Sequence, residues 1–282
     1  MNKRVIVLAV LGAALAGASL YGQFPTGPSK LDTIKVRDDL FVVHNAFVPG
    51  NSTVLVTSEG VILVDDKFPQ DVDNILAEIK KVTNQPVRYV VNTHHHGDHS
   101  GGNARLQAMN VDVVATEAAR RHFADAKQPG APTVTFDETA YLQLGGTRVE
   151  LYHFGRAHTN GDLVAYFPAQ RALAAGDMFT FGADVPQLID YAGGGSAKEW
   201  PRTIDRVLQL DFDAVVPGHG NVTTKAELRK FRDTTDRLRN RVRELILKKA
   251  SRAEVEKMLR SEFNFADLHI GRSLDGLLAE LQ

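Results

Sequence analysis

A layered α/β fold is predicted by three features of this 282-residue sequence. Short β-rich runs alternate with stretches of helical spacing. That alternation occurs in both halves of the chain without a detectable repeat. Apolar strands also deliver the chain, several times over, into polar loops flanked by glycine, the usual placement of active-site groups on a rigid scaffold. The length suffices for one large domain or two small ones with a sizeable core. With 43% apolar and 24% charged residues, the composition excludes a disordered chain, a collagen-like repeat and a polytopic membrane protein. The 33 basic and 34 acidic residues leave a formal net charge of −1. Such a chain has no global field for gripping nucleic acid.

The elements follow in order. Met1–Arg4 is a short basic start, and Val5 to Ala18 is an apolar run too short to span a bilayer but suited to a secretory core region. Residues 1–22 are therefore expected to be a signal peptide, cleaved near residues 19–24, with the mature protein periplasmic or secreted. The absence of cysteine excludes lipid attachment at such a residue and leaves burial and bound metal to supply stability. Leu40–Val43, Thr53–Thr57 and Val61–Val64 read as a strand meander, separated by Pro49-Gly50-Asn51 and Ser58-Glu59-Gly60 turns. Asp71–Val82 places Val72, Ile75, Leu76, Ile79 and Val82 at helical spacing. Strand Val87–Val91 then enters His94-His95-His96-Gly97-Asp98-His99, followed by helix Asn103–Met109, strand Val111–Ala115 and helix Glu117–Ala126.

In the second half, strands are expected at Thr147–Phe154, Leu163–Phe167, Ala172–Ala175 and Asp213–Pro217. Ser196 precedes Glu199 by three residues, a capping-box spacing that predicts a helix through about Leu210. From Lys225 to about Arg260 the chain reads as charged and helical, with Leu228, Phe231, Leu238, Val242, Leu245 and Ile246 as its apolar seam. Its basic residues are interspersed with acids, which favours a solvated face over a nucleic-acid patch. The expected organisation is a leader over 1–22, a main α/β domain over 23–224, and a helical segment over 225–282 packed on or beside it.

The chemistry lies in the histidines. Residues i and i+2 of an extended chain point to one side, so His94 and His96 can share a metal ion, while Asp98 and His99, past the glycine, can reach a second. His95 is expected to face away, in a packing or supporting role. His158, Asp177 and His219 each end or follow an apolar strand in a glycine-flanked loop. Imidazole with carboxylate suits zinc, with manganese or iron as alternatives.

Together, Thr93 through Gly102, Gly155 through Asp162, Ala175-Gly176-Asp177 and Pro217-Gly218-His219-Gly220 resemble the metallo-β-lactamase superfamily, over about Leu40 to Thr224. The resemblance implies a four-layer αββα sandwich with a two-metal site at one edge of the sheets. It implies a first zinc on His94, His96 and His158, and a second on Asp98, His99 and His219, with Asp177 bridging. Asp65, matching the family's early strand-end aspartate, would brace the site. Zinc β-lactamases of this superfamily typically carry cysteine or serine where Asp177 stands. An aspartate there resembles the glyoxalase II, lactonase and general metallohydrolase branches, so antibiotic hydrolysis is disfavoured as the main activity.

The expected reaction is attack of a metal-bridging hydroxide on the carbonyl of an ester, thioester, lactone or β-lactam, with Asp98 as the catalytic carboxylate. The alternatives sharing the motif are a dimetal phosphodiesterase or nuclease and a mononuclear iron persulfide dioxygenase. The first lacks its basic groove here, and the second would leave ligands unused. The expected partner is a small molecule with a hydrolysable carbonyl, with no nucleic acid and no membrane after leader cleavage; a homo-oligomer is left open. Phe47-Val48-Pro49, Phe179–Gln187 and Asp190–Trp200 are the expected substrate loops, the last containing Gly193-Gly194-Gly195.

Overall fold

A computed structural model describes residues 27–182 and 187–282. The leader expected over 1–22 lies outside the described residues, as does part of the expected Phe179–Gln187 loop. The first half forms β1 (Asp32–Lys35), β2 (Leu40–His44), β3 (Ser52–Val56), β4 (Val61–Val64), α1 (Val72–Val82), β5 (Val87–Val91), α2 (Gly97–Ser100), α3 (Asn103–Gln107), β6 (Asp112–Thr116), α4 (Glu117–Ala126) and β7 (Val134–Phe136). The second comprises β8 (Thr139–Leu144), β9 (Thr147–Tyr152), β10 (Val164–Phe167), β11 (Ala172–Ala174), α5 (Trp200–Val207), β12 (Ala214–Val216), β13 (Thr223–Thr224), α6 (Lys225–Leu247), α7 (Arg252–Phe263) and α8 (Asp267–Glu280).

Strands β1 to β7 form one seven-stranded sheet in sequence order, and β13-β12-β11-β10-β9-β8 form a second of six. The antiparallel meander β1–β4 is continued by β5, β6 and β7 in parallel. In the second sheet only β11 and β12 pair in parallel.

Strand periodicity separates the layers. In β2, β3 and β4, Val42, Leu55, Ile62 and Val64 face the second sheet, where they meet Leu151, Ala165, Phe167, Ala174 and Val216. Their neighbours Val43, Val54, Val61 and Leu63 face outward onto Val72, Ile75 and Ile79 of α1 and Leu106 of α3. The same alternation sends Val164, Leu173 and Val215 to the outer face of the second sheet, against α5 to α8. Both faces of each central strand are thus apolar, and the order is helix, sheet, sheet, helix. Full burial of each such side chain is worth roughly 1.5–3 kcal/mol. The chain is accordingly the αββα sandwich expected.

The C-terminal segment departs from expectation. In place of one helical run to Arg260, α6 ends at Leu247 and Ser251 starts a new helix. Ser251 Oγ accepts the Glu254 N–H while the Glu254 carboxylate accepts the Ser251 N–H. This reciprocal cap satisfies two otherwise unpaired donors, so the backbone restarts there. Buried Leu228, Leu238 and Val242 share a core with Val255, Leu259, Leu274 and Leu277, so all three helices lie on the second sheet. At Ser196 the cap is half formed: Ser196 Oγ accepts from Glu199 N at 3.0 Å, but the Glu199 carboxylate pairs with Arg156, and the helix begins at Trp200. Strands β1, β7 and β8 were not expected, nor was the two-residue β13. The first three carry exposed residues, which weakens an apolar signal. Among the described residues no helix is long and apolar enough to cross a membrane.

Candidate metal centre

Ligand-binding loops of α/β sheets gather at the carboxyl ends of parallel strands. Here β4 runs into Asp65, β5 into Thr93 and His94, β11 into Asp177 and β12 into His219. His158 arrives from the β9–β10 connection. The HxHxDH segment leaves extended backbone at His96 and becomes the helical turn α2, which brings the His99 ring to 4.3 Å from that of His94 and sets Asp98 and His99 beside His219. All seven expected ligands converge. His94, His96, His158 and Asp177 place one donor atom each within 4.8 Å of one another, and Asp98, His99 and His219 form a second such group.

Each of the five histidines gives one ring nitrogen to a fixed partner, which leaves the other for the cluster. Asp65 Oδ2 accepts from His99 Nδ1 at 2.8 Å, and the carbonyls of Phe47 and Leu188 accept from Nδ1 of His219 and His158 at 2.7 and 2.6 Å. Thr93 donates its hydroxyl to Asp65 at 2.7 Å and so accepts from His94 Nδ1 at 3.1 Å. His96 is inverted: its Nε2 donates to Asp190 Oδ2 at 2.8 Å, and its Nδ1 lies 3.0 Å from His158 Nε2. The partners set the tautomers, as metal-ligating imidazoles require.

Between the two groups stands Asp177. Its Oδ1 lies 3.2 and 3.3 Å from Nε2 of His99 and His219, and its Oδ2 lies 3.7 Å from His158 Nε2. Asp98 Oδ2 is 3.3 Å from His219 Nε2, and the Nε2 atoms of His99 and His219 are 3.2 Å apart. A tetrahedral ion with bonds near 2.05 Å separates its ligands by about 3.3 Å. With their other nitrogens already committed, these imidazoles crowd their remaining nitrogens together, and buried His94 Nε2 and Asp177 Oδ1 have no hydrogen-bond partner. The donor set therefore fits metal ions.

Charge divides the cluster. Burial opposes the charged form of His99 and His219, yet Asp177 and Asp98 outweigh it, raising His99 well above the usual range and His219 to about 10. Burial prevails at His94, held well below its usual value, and at His158, pushed down to about 4. Burial would raise the Asp177 and Asp98 carboxyls, but the facing histidines hold both below their usual range. The acidic side attracts cations, and cations must displace protons there.

Some of the supporting residues were foreseen and others were not. Asp65, expected as a brace, also accepts from Thr93 N at 2.7 Å and sits at φ 62°. Left-handed backbone at a non-glycine residue is uncommon and concentrates at functional sites. Asp190 had been assigned to a substrate loop, but it faces His96. The Phe47 and Leu188 carbonyls carry no side-chain signal at all. Lys67, fully buried, donates to Asn45 Oδ1 and the Gly50 carbonyl, tying both ends of the loop that carries Phe47. His95, expected to face away, stacks on His122 with ring centroids 4.1 Å apart but also offers a donor atom within 4.8 Å of His96 and Asp190.

A model of the metallo-β-lactamase superfamily matches residues 45–219. The chain is 30% identical over 196 residues to a metallo-β-lactamase type 2 of Bacillus sp. (strain 170), covering 68% of this chain and 75% of the relative. It is 26% identical over 228 residues to a metallo-β-lactamase type 2 of Elizabethkingia meningoseptica, covering 78% and 89%. The solved structure of a metallo-β-lactamase from Pontibacter korlensis superposes with a TM-score of 0.66 at 26% identity, covering 73% of this chain and 99% of that one. The buried histidine–aspartate cluster at the sheet edge, the αββα layers and these likenesses agree: the chain belongs to the metallo-β-lactamase superfamily and is a metal-dependent hydrolase.

Proposed function

We propose that the chain is an exported two-zinc hydrolase of small carbonyl substrates: an ester, thioester, lactone or β-lactam. The observation that carries this reading is the tautomer set, which turns Nε2 of His94, His99, His158 and His219 and Nδ1 of His96 toward two adjoining groups with Asp177 between them. His94, His96 and His158 would hold one ion; Asp98, His99 and His219 would hold the other; Asp177 would serve both. A donor set of nitrogen and carboxylate oxygen without sulfur suits zinc. When bound, such a pair of ions supplies Lewis acidity toward a carbonyl oxygen and makes a shared water nucleophilic near neutral pH.

The chain's own groups orient and exclude. Asp98 is the more open of the two central carboxylates, with 19% side-chain exposure against 11% for Asp177. It is the one placed to orient the attacking water and to take up a proton at Oδ2. Asp65, Phe47 O and Leu188 O keep the imidazoles from rotating. Phe47 and Val48 are exposed beside His219, an apolar edge for the substrate's body. The curated relatives named as metallo-β-lactamases bring a β-lactam into the substrate class, and Asp177 in place of a sulfur ligand favours an ester, thioester or lactone. The basic start and apolar run of residues 1–22 support export to the periplasm or beyond.

The test is elemental mass spectrometry on protein purified without added metal, paired with chromogenic lactam, lactone, thioester and phosphodiester substrates. About two zinc per chain with turnover of a carbonyl substrate is expected. One iron per chain with oxygen uptake, or turnover of phosphodiesters alone, overturns the reading.

A further inference from the structure

The superfamily match ends at His219, yet the last helix of the chain reaches back to the site. Three residues on one face of α8, at spacings of three and four, contact a single loop, Ile189–Lys198. Ser273 is buried, and its hydroxyl donates to Ile189 O at 3.1 Å and accepts from Ile189 N at 3.3 Å. Gly276 lies flat against the Tyr191 ring; a Cβ there would stand 2.1 Å from ring carbons. Glu280 accepts from the Tyr191 hydroxyl at 2.8 Å, the Ser196 hydroxyl at 2.5 Å and Lys198 N at 3.2 Å. These are polar or close-approach contacts, which set position more sharply than apolar packing does.

The loop so held is joined to one half of the cluster. Asp190 Oδ2 accepts from His96 Nε2, and Asp190 N donates to His158 O at 3.0 Å. Asn160 N donates to Gly193 O and Ser196 N to Ala157 O, both at 2.9 Å, while the Arg156 guanidinium binds the carbonyls of Gly194 and Gly195. His96 and His158 are therefore aimed through the loop that α8 grips. His99 and His219 are held from elsewhere, by Asp65 and the Phe47 carbonyl, and Asp98 O accepts from Gly50 N.

We infer that α8 is a positioning element for one metal only: Ser273, Gly276 and Glu280 clamp Ile189–Lys198 so that Asp190 and the His158 backbone hold His96 and His158, two of the three histidines of that group, in register. This rests on the two-metal reading above. Loss of a hydrogen-bond partner directly behind a metal ligand lowers metal affinity by about 10- to 100-fold. A clamp one step further back should act at the lower end of that range.

The experiment uses the full chain with Gly276→Ala, which wedges α8 from Tyr191, and Glu280→Gln, which keeps size but sets an amide against the Tyr191, Ser196 and Lys198 donors. Asp275→Asn, on the exposed Arg252 pair of the same helix, is the control. Zinc is titrated against a chelating dye, and cobalt(II)-loaded protein is examined by its visible absorption. The expected result is a fall of about 10-fold in affinity for one of the two ions, an altered cobalt spectrum for that ion, and a second ion bound as in wild type, with Asp275→Asn unchanged. Wild-type affinity for both ions in Gly276→Ala and Glu280→Gln overturns the inference while leaving the two-metal reading intact. Equal loss of both ions in each variant also overturns it, because α8 would then support the fold as a whole. If Gly276→Ala fails to fold, Glu280→Gln alone decides. A wild-type chain that binds fewer than two ions overturns the two-metal reading itself, and the inference with it.

Discussion

Gly50 and Gly97 flank the same metal cluster, and replacing each with alanine should have opposite results. A Cβ on Gly50 would lie 2.2 Å from Cε1, 2.6 Å from Nε2 and 2.7 Å from Nδ1 of His99. Ordinary carbon contacts are about 3.5–4.0 Å, so more than an ångström must be recovered. Neither side can yield cheaply. His99 is buried with Nδ1 fixed by Asp65. Gly50 donates from N to Asp98 O at 3.2 Å and accepts the Lys67 ammonium at its carbonyl. Overpacking costs about 1–3 kcal/mol, and with both partners pinned Gly50→Ala should fall near the upper end, about 3 kcal/mol. For a chain this long that corresponds to a melting midpoint lower by roughly 6–12 °C. Because the ring displaced is a proposed ligand, affinity for one ion should fall by at least about 10-fold. At Gly97, the first residue of α2, a Cβ meets nothing within 4 Å. There alanine should be neutral or stabilising by about 0.5 kcal/mol, through helix propensity and a less flexible unfolded chain. Thermal unfolding and zinc competition on both variants are the assay. A Gly50→Ala protein that melts with wild type and keeps both affinities would refute this account of His99 packing.

Asp190→Ala should weaken one metal by about 10- to 100-fold, with partial recovery in Asp190→Asn, whose amide oxygen can still accept from His96; unchanged zinc affinity in Asp190→Ala would refute its role. Burial, the largest influence, lowers Lys67 from its ordinary 10.5 to about 7. Between those values the folded chain binds fewer protons than the unfolded one, so stability rises as pH climbs through that window and is lost as pH falls toward 7. Lys67→Met should flatten that rise in urea midpoints measured from pH 7 to 10, and an identical slope in both proteins would contradict the burial argument. Chelation should abolish turnover and lower stability by about 2.7 kcal/mol for each ion present at a hundredfold excess over its dissociation constant; a melting midpoint indifferent to chelator would count against metal in the native fold.

Much of the fold was legible because the signals are local. Val61–Val64, Val87–Val91 and Glu117–Ala126 occupy the spans expected, since each combines strong periodicity with a clear boundary. Edge strands β7 and β8, half exposed, carry weak patterns. The break between α6 and α7 was written in Ser251 and Glu254, but a charged helical run masked it.

The sequence by itself determined much of the site's inventory: the His94–His99 spacing and the family resemblance of the segments around His158, Asp177 and His219 named the seven side chains that the structure gathers into two groups, but not Asp190, which joins His95 and His96 in a third. It also determined the layers, because strand alternation decides which side chains face which sheet. Only the tertiary structure decided how the histidines are aimed. That depends on acceptors distant in the chain, such as Asp190 on His96 and the Phe47 carbonyl on His219, and on α8 contacting the loop that carries Asp190. A hydrogen bond to a backbone carbonyl carries no residue identity, and a partner 94 or 172 positions away leaves no local pattern; such contacts exist only once the chain has folded.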